Sequence, residues 1–144
     1  MALKVPTASE ITLLKFILNV LAQEDLVYRL YTNDVTPGDA DTAASYVEAS
    51  GGGYAPKTLT PADWTFSTTG GGAGQGEQPV QEWVFTGPLD GGASIYGYYV
   101  TSATSGTLLW AERDPEVATK GAFTPANNGD TYRITPRFTL SSEN

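Results

Sequence analysis

Three glutamates, Glu48, Glu82 and Glu112, are the side chains of this sequence whose type and setting come nearest to a catalytic set. Each lies on or beside a segment of strand character, and two carboxylates at a suitable separation hydrolyse glycosidic bonds by acid–base chemistry. Little else is available for catalysis. The chain contains no histidine and no cysteine. That removes the usual base for a serine or threonine nucleophile, along with thiolate nucleophiles, disulfides and thiolate metal sites. Strand alternation puts all three glutamates at outward, polar positions, so they read first as solvated surface carboxylates.

Two other segments raise binding chemistry. Asn33, Asp34, Asp39 and Asp41 could offer oxygen ligands to calcium, but the run lacks the sixth-position glycine and twelfth-position glutamate of an EF-hand loop. It reads as a solvated turn. Gly70–Gly76 (GGGAGQG) has the glycines of a phosphate loop without the Lys-Ser/Thr that ends one. It reads as a mobile loop tip. No cofactor and no metal are expected.

The elements that would hold these residues follow from composition and periodicity. A chain of 144 residues with 16 glycines and 9 prolines fits one turn-rich β domain. The net charge is −8, with only 8 lysines and arginines. Such a surface is poorly equipped to neutralise phosphates, which argues against nucleic acid and anionic membranes as partners. The opening MALKVPTASE has none of the features of a secretory signal, and the apolar stretch Ile11–Leu21 is too short to span a bilayer.

Thr7-Ala8-Ser9-Glu10 has the form of a capping box. The apolar residues Ile11, Leu14, Ile17, Leu18 and Leu21 then recur at helical spacing, widened by Leu13, Phe16 and Val20. A helix this apolar must be covered on most sides, by its own domain or by a neighbouring copy. From Leu26 the period becomes two. Strands are expected over 26–31, 45–49, 54–59, 64–68, 80–86, 93–101, 107–112 and 131–140, separated by glycine- and proline-bearing turns. Pro136 places the last strand at an edge, or bulges or splits it. The pattern is an all-β antiparallel sandwich, jelly-roll-like, over 25–144, preceded by an arm and one helix over 1–24.

The densest aromatic stretch is IYGYYVTSATSGTLLWAER, residues 95–113. As a hairpin it has large side chains on both faces, Tyr96, Tyr98 and Val100 opposite Ile95 and Tyr99, with Leu108 and Trp110 opposite Leu109 and Ala111. Neither face is fully wet. A sugar-binding platform would use the same aromatics, but the hairpin offers chiefly Thr and Ser as polar anchors. Core and subunit interface is the better reading, with Leu14, Leu18, Leu21, Tyr96, Tyr98 and Trp110 as the candidate residues.

These segments also carry a resemblance. VPTASEITLLKFIL, LVYRLYTNDVTP, YVEASGGGYAPKTL, QEWVFTG, IYGYYVTSATSGTLLWAER and GDTYRITPRFTL occur in that order over nearly the whole chain. Together they closely resemble small structural proteins of tailed-bacteriophage virions. The sequence departs from that pattern at Asp34 and in Gly51–Gly53. The resemblance implies a non-enzymatic capsid decoration (cement) protein, a homotrimer clamping the major capsid protein on the outer face of the shell and assembled in the host cytoplasm. A tail or tail-fibre module binding a receptor or glycan is the alternative within the same resemblance.

Overall fold

The computed structural model describes residues 3–141, which form mostly antiparallel β-structure with one main helix. That helix is α1 (Thr7–Ile17), and a short second helix, α2 (Val117–Lys120), lies late in the chain. The strands in chain order are β1 (Leu26–Tyr31), β2 (Lys57–Leu59), β3 (Thr65–Thr68), β4 (Gly74–Glu77) and β5 (Gln81–Val84). They continue with β6 (Gly97–Ser102), β7 (Leu108–Arg113), β8 (Thr131–Ile134) and β9 (Arg137–Leu140). A central sheet has the order β2-β1-β6-β7, a second β3-β4-β9, and β5 pairs with β8. Every strand pair is antiparallel, and each sheet is open.

The central sheet is covered on both faces, and this is where the hydrophobic sequence is consumed. On one face Tyr28, Leu30, Tyr98, Val100 and Trp110 pack with Trp83 and Phe85 from the β5 region and Tyr132 of β8. Leu13 and Phe16 of α1, Trp64, and Phe138 of β9 close the rim of this cluster. The opposite face carries Tyr31, Tyr99, Leu108 and Ala111, capped by Tyr46 with Val35 and Ala43. The second face is thus covered by the chain's own segment between β1 and β2, not by the helix. All six residues of β6 are buried as a result.

Gly97 shows how tightly the sheet is made. It pairs with Tyr31 across the β1–β6 ladder, and a Cβ there would stand 2.3 Å from the Glu112 carbonyl oxygen and 2.7 Å from the Tyr31 hydroxyl. Only glycine lets the tyrosine lie over the backbone at this position.

Several expectations are corrected. The capping box does not form: the helix begins after Pro6, whose extended backbone (φ −62°, ψ 149°) delivers its carbonyl to the Ser9 and Glu10 amides. Ser9 is instead buried, and its hydroxyl donates to the Leu108 carbonyl at 2.5 Å. The helix stops at Ile17, four residues short of Leu21, because Asn19 takes a left-handed conformation (φ 59°) that closes the last turn.

In the hairpin, a bulge between Val100 and Thr101 sets Val100 opposite Trp110 and Thr101 opposite Leu108. The extra residue, Leu109, joins Trp110 in the first cluster, while Leu108 and Ala111 join the second. Strict alternation across the turn therefore fails. The segment 45–49 is no regular strand. The Asn33 side chain accepts from the Val47 amide and donates to the Ser45 carbonyl, taking groups a ladder would need. The glycine run 70–76 is half strand, since β4 begins at Gly74 and pairs on both edges. The final strand is split at Pro136 into β8 and β9.

Candidate functional site

The three glutamates are each engaged by a different set of partners. Glu48 accepts from Arg29 at 2.8 Å and from the Tyr54 hydroxyl at 3.1 Å. Glu82 is paired with Arg133 across the β5–β8 ladder. Glu112 accepts from the Tyr98 hydroxyl at 2.9 Å. Only Glu112 of the three lines the large groove described below. The fold does not bring them together as a catalytic pair.

The acidic turn is a clasp for the second face of the central sheet. Asp41 accepts from the Gly38 amide and from the Tyr46 hydroxyl, both through Oδ2. Asp34 pairs with Arg113 at 2.7 Å, and Arg113 also donates to the Val35 carbonyl while lying over the Tyr96 ring. Asp39 is paired with Lys4 of the arm. The oxygens that suggested a calcium loop are thus committed to holding residues 33–47 over Tyr31 and Tyr99. Arg113 is the residue that the reading of the sequence missed. Its signal was the final residue of the WAER segment, on the last position of β7, where the chain leaves the sheet.

Tyr98 and Trp110 lie in the core, whereas Tyr96 packs half-buried at the edge of the second cluster. Tyr98 stacks on Tyr28 with centroids 4.4 Å apart. Tyr28 Oη and Trp110 Nε1 are buried within reach of the Tyr98 hydroxyl but miss hydrogen-bond geometry. Burial, and then the Glu112 carboxylate, push the Tyr98 hydroxyl far above its ordinary pKa. Tyr132 is pushed up in the same way by burial and by its 2.6 Å hydrogen bond to Asp114.

Beside these tyrosines runs a groove of about 1280 Å³, lined among others by Glu112, Asp114, Lys120, Tyr132, Arg133 and Arg137. Its charges are balanced locally. Lys120 pairs with Glu116, Arg133 with Glu82 and Arg137 with Glu77. Such a wall offers hydrogen bonds to a polar partner but no concentrated field of either sign.

The helix presents the opposite chemistry. Its inner side, Ser9, Leu13 and Phe16, docks against β7 and the first cluster. The candidates Leu14, Leu18 and Leu21 lie outside the core, on the solvent side. Ile11, Leu14, Ile17 and Leu18 are between 54% and 70% exposed, and Val20 is 69% exposed. Helical spacing puts Ile11, Leu14 and Leu18 in one stripe, directly across the helix from the docked side. Next to Leu13 opens a second groove, about 440 Å³, whose walls are Leu13, Trp64, Phe66, Trp110, Phe138 and Leu140. Phe66, at its lip, is 82% exposed. An apolar stripe and an apolar groove are therefore both open on the surface, on opposite sides of α1, and together they are the surface best suited to protein–protein contact.

No family model, no curated protein and no solved structure matches the chain. Among the described residues, no helix is long and apolar enough to cross a membrane.

Proposed function

We propose that this chain is a non-enzymatic structural protein of a bacteriophage virion. In this reading it is a capsid decoration (cement) protein that binds the major capsid protein on the outer face of the shell and works as a homotrimer. Its body is a jelly-roll-like β-sandwich, with the β3-β4-β9 and β5–β8 sheets forming the layer opposite the central sheet. The observation that carries the reading is the uncovered apolar surface of α1 and its neighbouring groove. A chain that stayed alone would hold this surface in water at a standing cost, whereas one clamped between other proteins is stabilised by it.

Two further features support the reading. The segments that carry the resemblance are the ones that make the central sheet and its clasp: LVYRLY is β1, the IYGYYVTS and LLWAER segments contain β6 and β7, and TNDV supplies Asn33, Asp34 and Val35 to the clasp. They support membership through architecture rather than through a reactive site. The cations are also spent: six of the eight lysines and arginines are in ion pairs, and Lys57 lies over the Trp83 ring. That leaves little for the phosphates of packaged DNA and favours the outer side of a shell.

The test is to locate the chain in intact virions and to strip it from them. Density on the capsid lattice, together with capsids that lose heat resistance without the protein and regain it on re-addition, is the expected outcome. Density confined to the tail tip would overturn the capsid assignment.

A further inference from the structure

We propose that copies of this chain join head to tail, with the Ile11, Leu14 and Leu18 stripe of one copy seated in the apolar groove of the next. The inference rests on the reading above in one respect only, that the apolar helix surface is covered by protein, and it names that protein as a second copy of the same chain.

The first argument is area. The six exposed apolar side chains of the helix and its exit turn, with Phe66 and Leu140 at the groove, are each at least 39% exposed. At an order of 100 Å² each they amount to about 800 Å² of apolar surface per chain, divided between the two halves of the contact and more than a lone soluble chain usually exposes.

The second argument is shape. The groove is floored by Trp110 and Phe138, whose rings lie 4.9 Å apart, and only Ser67, Gln75 and two glycines interrupt its apolar lining. It is suited to receive branched apolar side chains and offers almost nothing to a polar ligand. The stripe supplies such side chains in a row. Because the stripe lies across the helix from the docked side, a chain cannot fold its own stripe into its own groove.

The third argument is symmetry. A two-fold contact of stripe on stripe would leave the groove open, and one of groove on groove would leave the stripe bare. A stripe-into-groove contact covers both surfaces with a single interface repeated head to tail, which closes into a ring where its rotation returns to the first copy. The surface of α1 helps such contact, since Glu10 and Lys15 are the only charged residues in the helix.

The experiment uses the purified full chain without capsids, so its outcome is independent of shell binding. Sedimentation velocity should give an oligomer for the wild type, and monomers for the double variant Leu14→Ser/Leu18→Ser and for Phe66→Ser. All three positions are more than half exposed, so circular dichroism should match the wild type; Leu140→Ser serves as the groove variant if Phe66→Ser does not fold. The deciding step is to mix the stripe variant with the groove variant. Each retains the half that the other lacks, so the mixture should form a one-to-one dimer that cannot grow. A monomeric wild type, variants that remain oligomeric, or a mixture that stays monomeric would each overturn the proposal.

Discussion

Strands β6 and β3 are both short, both aromatic and both free of charge, yet they have opposite fates. Every residue of β6 is buried, and every residue of β3 is exposed. The difference lies in what covers them. The central sheet is roofed on one face by three other strands' worth of aromatics and on the other by the clasped segment 33–47. The β3 edge has β4 on one side and, among the described residues, no paired strand on the other. Apolar content alone does not say which surface a fold will keep for itself; the covering segments decide it.

The largest effect that tests this contrast is Trp110→Ala. Removing a buried indole that packs between both layers should cost about 3–5 kcal/mol in denaturant unfolding, while Phe66→Ala in a monomeric background should stay within about 0.5 kcal/mol. Equal costs would erase the distinction between the two regions.

Next comes Gly97→Ala, where the new methyl collides with the Glu112 carbonyl and the Tyr31 hydroxyl. It should destabilise by about 1–3 kcal/mol. Its control is Gly74→Ala in β4, where the nearest neighbour is 3.9 Å away, and no measurable loss is expected. Tyr98→Phe should cost about 1–2 kcal/mol, because the Glu112 carboxylate loses its hydroxyl donor at the edge of a buried aromatic cluster. A neutral result would show that water replaces the hydroxyl and that this end of the core is wetter than its packing.

The smallest effect at neutral pH is the tyrosine titration, which vanishes there and appears only in alkali. Burial pushes Tyr99 up to about 12, pushes Tyr31, Tyr46, Tyr54, Tyr98 and Tyr132 up further, and holds Tyr28 well above its ordinary value. A phenol raised in the folded state favours folding fully below its ordinary value of about 10, and that contribution is lost as pH rises toward the folded value. Stability should therefore fall from about pH 10 upward, and phenolate absorbance should appear together with loss of the circular dichroism signal. The β3-β4-β9 sheet contains no tyrosine, so the alkaline transition reports on the central body. Phenolate forming near pH 10 with the fold intact would show those rings to be open to water.

Much of this architecture was legible in the residues. Period-two alternation found β1 from Leu26 to Tyr31 and the β6–β7 hairpin, and Pro136 marked the break between β8 and β9. The two-faced aromatics of the hairpin required covers on both sides, and both exist. The acidic turn was legible as a turn but not as a clasp, because Asp34 and Arg113 are 79 positions apart and meet only once the sheet is built. The helix misled through its start. Thr7–Glu10 has the capping pattern, but the Pro6 carbonyl and the docking of Ser9 on β7 override it. Glu48, Glu82 and Glu112 look equivalent in sequence, and their different partners come from three different places in the fold.

By itself the sequence determined the class of structure: short antiparallel strands, one strongly apolar helix, and a surface short of cations. These are local properties, set by side-chain periodicity, turn residues and composition. Only the tertiary structure decided which apolar residues the chain buries for itself. Leu13 and Leu14 are neighbours of the same type, yet one docks and the other faces water, because the helix can turn only one side toward β7. The choice depends on the orientation of the whole helix against the sheet, and no local pattern encodes it.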